Sequence, residues 1–193
     1  FTIQNGFTHG GSWSYGGGIY CGNSAPQLRD LNITDNTADY GGGIAMYSTS
    51  DTISLTNIII DGNSVYNYGG GLYTRNSDVI INDISITDNS AQWGGGIYSE
   101  GYSDIQMNRV LIKDNDASSQ GGAINIGYQS SFSLTNNTIA DNSNGEGVNP
   151  DIYVGYDGSI NISNSIIYEE GFALNSTSSW PATVNISYSN FVY

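Results

Sequence analysis

The fold is decided by a short stretch at residues 87–98, which reads TDNSAQWGGGIY. Its Asp-Asn pair and its glycine run both recur along the chain. The Asn of the pair falls at Asn36, Asn63, Asn89, Asn115 and Asn142, in steps of 27, 26, 26 and 27 residues. The glycine run recurs in step with it, at residues 16–18, 41–43, 69–71, 94–96 and 121–122. Self-similarity at such a fixed period indicates a repeat architecture.

Each repeat also contains short apolar-polar alternations between turn residues. Residues 53–57 read ISLTN, and equivalent runs lie at residues 79–83, 105–109, 132–136 and 160–164. A period of two is typical of a strand, and the sequence has no 3.6-residue apolar stripe that would favour helices. Three short strands cannot bury an apolar face alone, but stacked repeats can. The sequence therefore predicts an all-β, parallel β-helix solenoid of about seven coils, each of about 26 residues with three short strands. A right-handed solenoid is expected, because parallel crossovers follow that rule.

Equivalent positions of stacked coils lie above one another and form columns. We expect three inward aliphatic columns, one for each strand of the coil. Their members are Ile19, Ile44, Leu72, Ile97, Ile124 and Ile152; Leu28, Leu55, Ile81, Met107, Leu134 and Ile162; and Ile33, Ile60, Ile86, Ile112, Ile139 and Ile167. Cys21, two residues after Ile19, is expected to point inward as a small buried residue.

A polar column is predicted at one corner of the coil, where the recurring Asn residues stack. The column consists of Asn36, Asn63, Asn89, Asn115 and Asn142. Stacked Asn side chains hydrogen-bond along a stack, and Asn tolerates the left-handed backbone that tight corners require. We assign this ladder a structural role.

Acidic residues precede the ladder and form a candidate metal site. The column contains Asp35, Asp88, Asp114 and Asp141, with Gly62 interrupting it and Asp61 beside the gap. Carboxylates one strand spacing apart repel unless water, turn amides or a cation intervene, and Ca²⁺ accepts such oxygen ligands. The alternative, which we favour, is that each Asp bonds backbone N–H groups of its own turn. No cofactor other than calcium is expected.

Aromatic residues give the most distinctive predicted surface. The first aromatic column precedes the glycine runs and contains Tyr15, Tyr40, Tyr68 and Trp93, with Gln120 ending it. The second follows the inward aliphatic residue and contains Tyr20, Tyr73, Tyr98 and Tyr153, with Ala45 and Asn125 interrupting it. We expect these rings to point outward and stack on the faces of a polysaccharide or cell-surface glycan, with Tyr20, Tyr40, Tyr68, Tyr73, Trp93 and Tyr98 as candidate contacts. The alternative is that Tyr merely favours strands and stacks on itself between coils.

Composition excludes several classes of partner. The net charge is -14, with 4 Lys and Arg against 18 Asp and Glu, which disfavours nucleic acid and anionic glycans. No apolar stretch is long enough for a membrane helix, so no membrane insertion of this segment is expected. A single Cys excludes an intrachain disulfide framework.

The repeat resembles the glycine-rich parallel β-helix repeats of large bacterial surface and secreted proteins, and is similar to those of chlamydial polymorphic outer-membrane proteins. The resemblance rests on residues 87–98 and on Ser133-Leu134-Thr135-Asn136-Asn137-Thr138-Ile139. It covers nearly the whole chain and implies a pectin-lyase-like fold and an extracellular or cell-surface location. That fold is shared by enzymes, adhesins and passive stalks, so function has to be argued from a site.

Two function classes follow. The first is a non-enzymatic structural or adhesive β-helix, as a stalk, adhesin or fibre element. The second is a polysaccharide lyase or glycoside hydrolase, whose catalytic residues are not recognisable here. Lyases of this fold need basic residues, and the sequence holds only four Lys and Arg and one His. Arg109 and Lys113 form either a cationic spot or ordinary surface charge. The scarcity of basic residues favours the first class, and no catalytic residue is assigned.

The domain prediction is a single β-helix over residues 1–193, as a segment of a longer protein. Residues 143–150 and 171–181 depart from the repeat and are predicted to be irregular loops. Both ends are expected to lie inside strands, so end-to-end self-association is a further expectation.

Overall fold

A computed structural model describes residues 1–10, 14–145, 151–168, 172–174 and 179–191. These residues form strands and turns without a helix, so no helix in the described part of the chain crosses a bilayer. The strands build three sheets in which every pairing between named strands is parallel. The predicted all-β parallel β-helix is therefore confirmed.

Sheet 1 holds the long strands of the coil. Its strands are Thr2–Gln4, Gln27–Thr34, Ile53–Asp61, Val79–Thr87, Asp104–Lys113, Ser131–Thr135, Thr138–Ala140, Ser159–Ser163, Ile166–Tyr168, Thr183–Ser187 and Asn190–Phe191. In the early coils one strand carries two apolar arms, and from Ser131 onward the two arms are separate strands. This sheet supplies the widest face of each coil.

Sheets 2 and 3 lie on either side of the glycine run. Sheet 2 consists of Thr37–Tyr40, Ser64–Tyr68, Ser90–Trp93, Asp116–Gln120 and Ser143–Asn144. Sheet 3 consists of Ile19–Gly22, Ile44–Tyr47, Leu72–Arg75, Ile97–Glu100, Ile124–Ile126, Ile152–Val154 and Phe172–Leu174. Six turns separate the first and last strands of sheet 3. In sheet 1 the paired residues of the regular region lie 26 or 27 positions apart, as Ile60 does from Ile86 and Ile33.

The three predicted aliphatic columns are in register and form the core. Ile33, Ile60, Ile86 and Ile112 pair in succession and are fully buried. Burying one such side chain contributes about 1.5–3 kcal/mol. Cys21 is also buried, as a free thiol whose pKa is raised by burial.

The assignment of one column to each strand is wrong. Two of the three columns lie on the two arms of sheet 1, which bends between them at a residue with left-handed φ. The bend residues are Asp30, Asn57, Asp83 and Arg109, with φ of 55–57°. Sheet 2 contributes a separate column of small residues, namely Ala38, Val65, Ala91 and Ala117. The apolar-polar pattern of the sequence does not distinguish one bent strand from two separate strands.

Glycine serves two purposes in the turn between sheets 2 and 3. Gly41, the first of its run, has a φ of +64°, which other residues rarely adopt. Gly42 and Gly43 lie against the next coil, and a Cβ at either would come within 2.6 Å of the carbonyl oxygen of Gly70 or Gly71. The close approach lets backbone hydrogen bonds continue through the turn, as between the Gly43 amide and the Gly70 carbonyl (3.1 Å).

Part of each predicted irregular loop lies in a strand. Residues 143–144 form a strand of sheet 2, and residues 172–174 pair in register with Ile152–Val154 of sheet 3. The loop prediction is wrong at these residues, because the backbone pairing of the coils continues there. Residues 146–150, 171 and 175–178 of the two predicted loops lie outside the described residues.

Candidate functional site along the aromatic columns

The Asn column forms a buried hydrogen-bonded ladder. The side-chain amide of each Asn donates to the carboxamide oxygen of the next, at 2.9 Å for all four steps from Asn36 to Asn142. The same oxygen accepts the backbone N–H of the preceding ladder residue, at 3.0–3.1 Å. Asn63 also donates to the Ile33 carbonyl at 2.9 Å. These bonds satisfy polar groups that would otherwise destabilise the core.

At this corner the residue with left-handed φ is the Asp that precedes each ladder Asn. The expectation that Asn recurs here because it tolerates a left-handed backbone is therefore wrong. Asp35, Asp88, Asp114 and Asp141 have φ of 54–55°, and Gly62 occupies the same column with φ of +64°. Asp and Gly are both residues that adopt this conformation, so backbone geometry accounts for the column.

The Asp column is also exposed and partly neutralised. All four Asp side chains lie at the surface. Lys113 forms an ion pair with Asp114 and lies 3.5 Å from Asp141. Among the described residues, no three acidic, His or Cys side chains are grouped as a metal site. Calcium binding at this column stays a prediction.

The two aromatic columns pack against each other into one cluster. Within the first, ring centroids are 5.0 Å apart for Tyr15 and Tyr40, 5.5 Å for Tyr40 and Tyr68, and 4.8 Å for Tyr68 and Trp93. Between the columns, Tyr68 and Tyr98 lie 4.5 Å apart. Aromatic pairs at such distances stabilise by about 0.5–1.5 kcal/mol beyond their buried area.

The expectation that these rings all point freely outward is wrong. Tyr20 is 51% exposed, but Tyr73 is completely buried. Tyr73 stacks on Tyr98 with an interplanar angle of 3° and meets the edge of Tyr40 at 5.4 Å. Tyr40, Tyr68, Trp93 and Tyr98 are half-buried. The rings of neighbouring coils therefore cover one another, and only part of the cluster faces solvent.

Glu100 joins the inner hydroxyl groups of the cluster. Its carboxylate accepts a hydrogen bond from the Tyr73 hydroxyl at 2.8 Å and one from Tyr98 at 3.4 Å. Arg75 lies 3.6 Å from the same carboxylate, and its guanidinium lies 5.6 Å from the centre of the Tyr47 ring. The glutamate thus holds two phenols and one guanidinium in place.

Burial and this carboxylate keep the phenols protonated. Burial, with the Glu100 carboxylate as the next cause, raises the pKa of Tyr73 and Tyr98 well above the ordinary range. Burial and neighbouring phenols raise the pKa of Tyr15 to about 12. A tyrosine that acts as a catalytic base needs a lowered pKa, so these shifts run against that chemistry.

The basic residues of the predicted cationic spot are each paired. Arg109 binds Asp83 through two hydrogen bonds, of 2.6 and 2.7 Å. Lys113 bridges the two Asp residues described above. The structure therefore favours ordinary surface charge over a cationic spot.

Beyond Trp93 and Tyr98 the cluster opens into a groove. It has a volume of about 230 Å³ and is lined by Tyr68, Trp93, Tyr98, Gln120, Asn125, Gly127, Tyr128, Tyr153, Gly155 and Tyr156. Sequence reasoning missed this groove, because it treated Gln120 and Asn125 only as interruptions of the columns. The loss of both aromatic residues in one coil, at Gln120 and Asn125, was the feature of the sequence that could have indicated a groove.

Comparison with known proteins finds a family model that matches two stretches of the chain. The repeat of the Chlamydia polymorphic membrane protein family matches residues 57–75 and 83–100. Each stretch begins at a bend residue of sheet 1, includes one ladder Asn and one glycine run, and ends in sheet 3. The chain is thus a β-helix repeat protein whose coils resemble these repeats. No curated protein sequence and no solved structure matches the chain.

Proposed function

We propose that this β-helix repeat protein is a structural and adhesive element that contacts glycans through its aromatic columns. The observation that carries the proposal is the packing of the two columns into one cluster across four consecutive coils, from Tyr15 to Tyr98. A continuous row of rings with partly exposed faces suits a long, repetitive ligand better than a small metabolite.

A bacterial surface location is part of this proposal. Its support is the resemblance of residues 57–75 and 83–100 to the repeats of a chlamydial membrane protein family. The net charge of -14 agrees with a protein that stays soluble outside a membrane and repels anionic surfaces.

Stiffness supports the structural half of the proposal. The Asn ladder and three parallel sheets run through consecutive coils, so neighbouring coils are joined by backbone and side-chain hydrogen bonds. Such an arrangement holds surface rings at a fixed spacing of about 4.8 Å per coil. Preorganised rings lose little entropy when a ligand binds.

Affinity electrophoresis tests the adhesive half. We expect retarded migration of the chain in gels that contain a neutral glycan, and weaker retardation for Tyr20→Ala, which removes an exposed ring of the second column. Tyr66→Ala is the matched control, because Tyr66 is 65% exposed but lies outside both columns. Equal mobility of the wild-type chain in all glycan gels and in blank gels contradicts the proposal.

The alternative function is cleavage of a polysaccharide by a lyase or hydrolase activity. A screen for reducing sugars and for absorbance at ~235 nm on plant and algal polysaccharides separates the two classes, since β-elimination leaves an unsaturated product whereas hydrolysis yields only new reducing ends. Product formation that depends on the chain establishes the enzyme and overturns the non-enzymatic role.

A further inference from the structure

One coil interrupts both aromatic columns at once. Gln120 occupies the position equivalent to Trp93, and Asn125 occupies the position equivalent to Tyr98. In the next coil the second column resumes, because Asn125 pairs with Tyr153. The ring of Tyr98 and the ring of Tyr153 are thus attached to strands two coils apart.

The interruption leaves space for one flat ring. Strands two coils apart are separated by about 9.6 Å, twice the interstrand spacing. Elsewhere in the cluster, rings fill each coil spacing, as Tyr68 and Trp93 do at 4.8 Å. The second column also lacks a ring at Ala45. There the ring centroids of Tyr15 and Tyr73 lie 5.8 Å apart, so these two rings fill the gap. The gap at Asn125 stays open as the groove of about 230 Å³.

The groove combines aromatic walls with polar uncharged groups. Asn125 is 97% buried, and its side-chain amide donates to the Gln120 carbonyl at 3.3 Å, which orients the carboxamide. Tyr128 and Tyr156 stand at the rim with 44% and 41% of their surfaces exposed. All ten lining residues are uncharged.

We infer that this groove is a binding subsite for one neutral pyranose residue of a glycan, an inference that rests on the proposed function. A pyranose is a ring with an apolar face that stacks on aromatic rings and a rim of hydroxyl groups that bind amides and phenols. Uronate and sulfated sugars do not suit the groove, because no cation lines it and the chain carries a charge of -14.

Asn125→Tyr is the sharpest variant, because it restores the missing ring in the column. We expect the new ring to stack between Tyr98 and Tyr153, to keep the melting temperature at or above the wild-type value and to close the groove. Tyr156→Ala is the second variant, since it removes a rim ring that is 41% exposed and leaves the packed cluster intact. Tyr66→Ala is the control, because Tyr66 is 65% exposed and lies outside both aromatic columns and outside the lining of the groove.

Isothermal titration of the full chain with cellotriose, maltotriose, laminaritriose and trigalacturonate tests the inference, with circular dichroism to verify folding. We expect at least one neutral trisaccharide to bind, with affinity about tenfold lower for Asn125→Tyr and Tyr156→Ala, and unchanged for Tyr66→Ala. If Asn125→Tyr does not fold, the Tyr156→Ala result decides.

Three results overturn the inference. Unchanged neutral-sugar affinity in both groove variants places binding elsewhere, and leaves the wider glycan proposal standing. Binding of trigalacturonate alone removes the neutral pyranose but keeps a glycan partner. Absence of binding to all four probes removes the subsite, and the glycan proposal then depends on the electrophoresis of polymers, which is independent of this groove.

Discussion

The Asn ladder and the aromatic columns are both stacks of equivalent residues, but they differ in continuity and burial. The ladder is unbroken from Asn36 to Asn142, and its members are at most 8% exposed. The ring columns are interrupted at Ala45, Gln120 and Asn125, and their exposure ranges from none at Tyr73 to half at Tyr20. A hydrogen-bonded ladder needs every member, because each carboxamide satisfies its neighbour. Ring packing tolerates a gap, so the ring columns are where a surface site arises.

Among the variants that test this difference, Tyr73→Ala should have the largest effect on the free energy of unfolding. The ring is fully buried and touches rings of the neighbouring coils, so its removal leaves a cavity and we expect a loss of about 3–5 kcal/mol in the free energy of unfolding. Urea unfolding followed by circular dichroism measures it. Tyr20→Ala is the matched control and should change stability by less than about 1 kcal/mol. Equal effects for both variants would show that the inner ring is not structural.

Asn89→Ala should have the next largest effect on the free energy of unfolding. It removes the acceptor of the Asn63 amide and the donor to Asn115, both in the core, and we expect a loss of about 2–3 kcal/mol. The same urea titration applies, with Ser90→Ala, at the exposed Ser64–Ser90 contact, as the control. A change below that of the control would contradict a ladder that needs every member.

Alkaline pH should destabilise the packing of the Tyr rings, because phenols ionise, and leave the Asn ladder unchanged, because carboxamides do not. The pKa of Tyr15 is raised to about 12 from the ordinary value of 10.0, so the protonated phenol is favoured in the folded state. Its contribution to stability is fully present below about pH 10 and is lost as pH rises through about 12. Melting temperatures recorded from pH 8 to 12 should therefore fall above pH 10, and less steeply for Tyr15→Phe. If the melting temperatures of the wild-type chain and Tyr15→Phe fall in parallel with pH, ionisation of Tyr15 is not the cause of the fall.

Asp88→Gly should have the smallest effect. The equivalent position already holds Gly62 with the same left-handed φ, so we expect a change of less than about 1 kcal/mol in the free energy of unfolding. Melting with Ca²⁺ and with EDTA accompanies it. If Ca²⁺ raises the melting temperature by several degrees and Asp88→Gly abolishes the rise, the acidic column binds metal after all.

The sequence predicted most of the fold because equivalent residues repeat at 26 or 27 residues and stack in register. It did not predict that the two columns through Ile81 and Ile86 share a bent strand. The inward positions shift by one residue at the left-handed Asp83, and in sequence such a break is equally typical of the end of a strand. Nor did it predict the burial of Tyr73. A side chain that points away from the core is covered when rings of adjacent coils are large enough to close over it, and that depends on packing between coils.

The candidate site shows the same limit. The residues of the first column were identified from their position before the glycine run, and the rings do lie together. The groove depended on two changes in one coil, Gln120 and Asn125, and on rings of the following coil. Periodicity detects what is repeated, whereas this site lies where the repeat changes.

The Asn ladder gives the rod a polarity and a unit of length. From Asn36 to Asn115, each ladder residue donates its side-chain amide to the Asn of the next coil, so a coil that carries the ladder Asn fits between two others of the same kind. Duplication or deletion of one repeat therefore moves whatever the chain carries by about 4.8 Å along the axis, without a new core. Evolution of such a protein can adjust its reach in fixed steps and leave the chemistry of its surface unchanged.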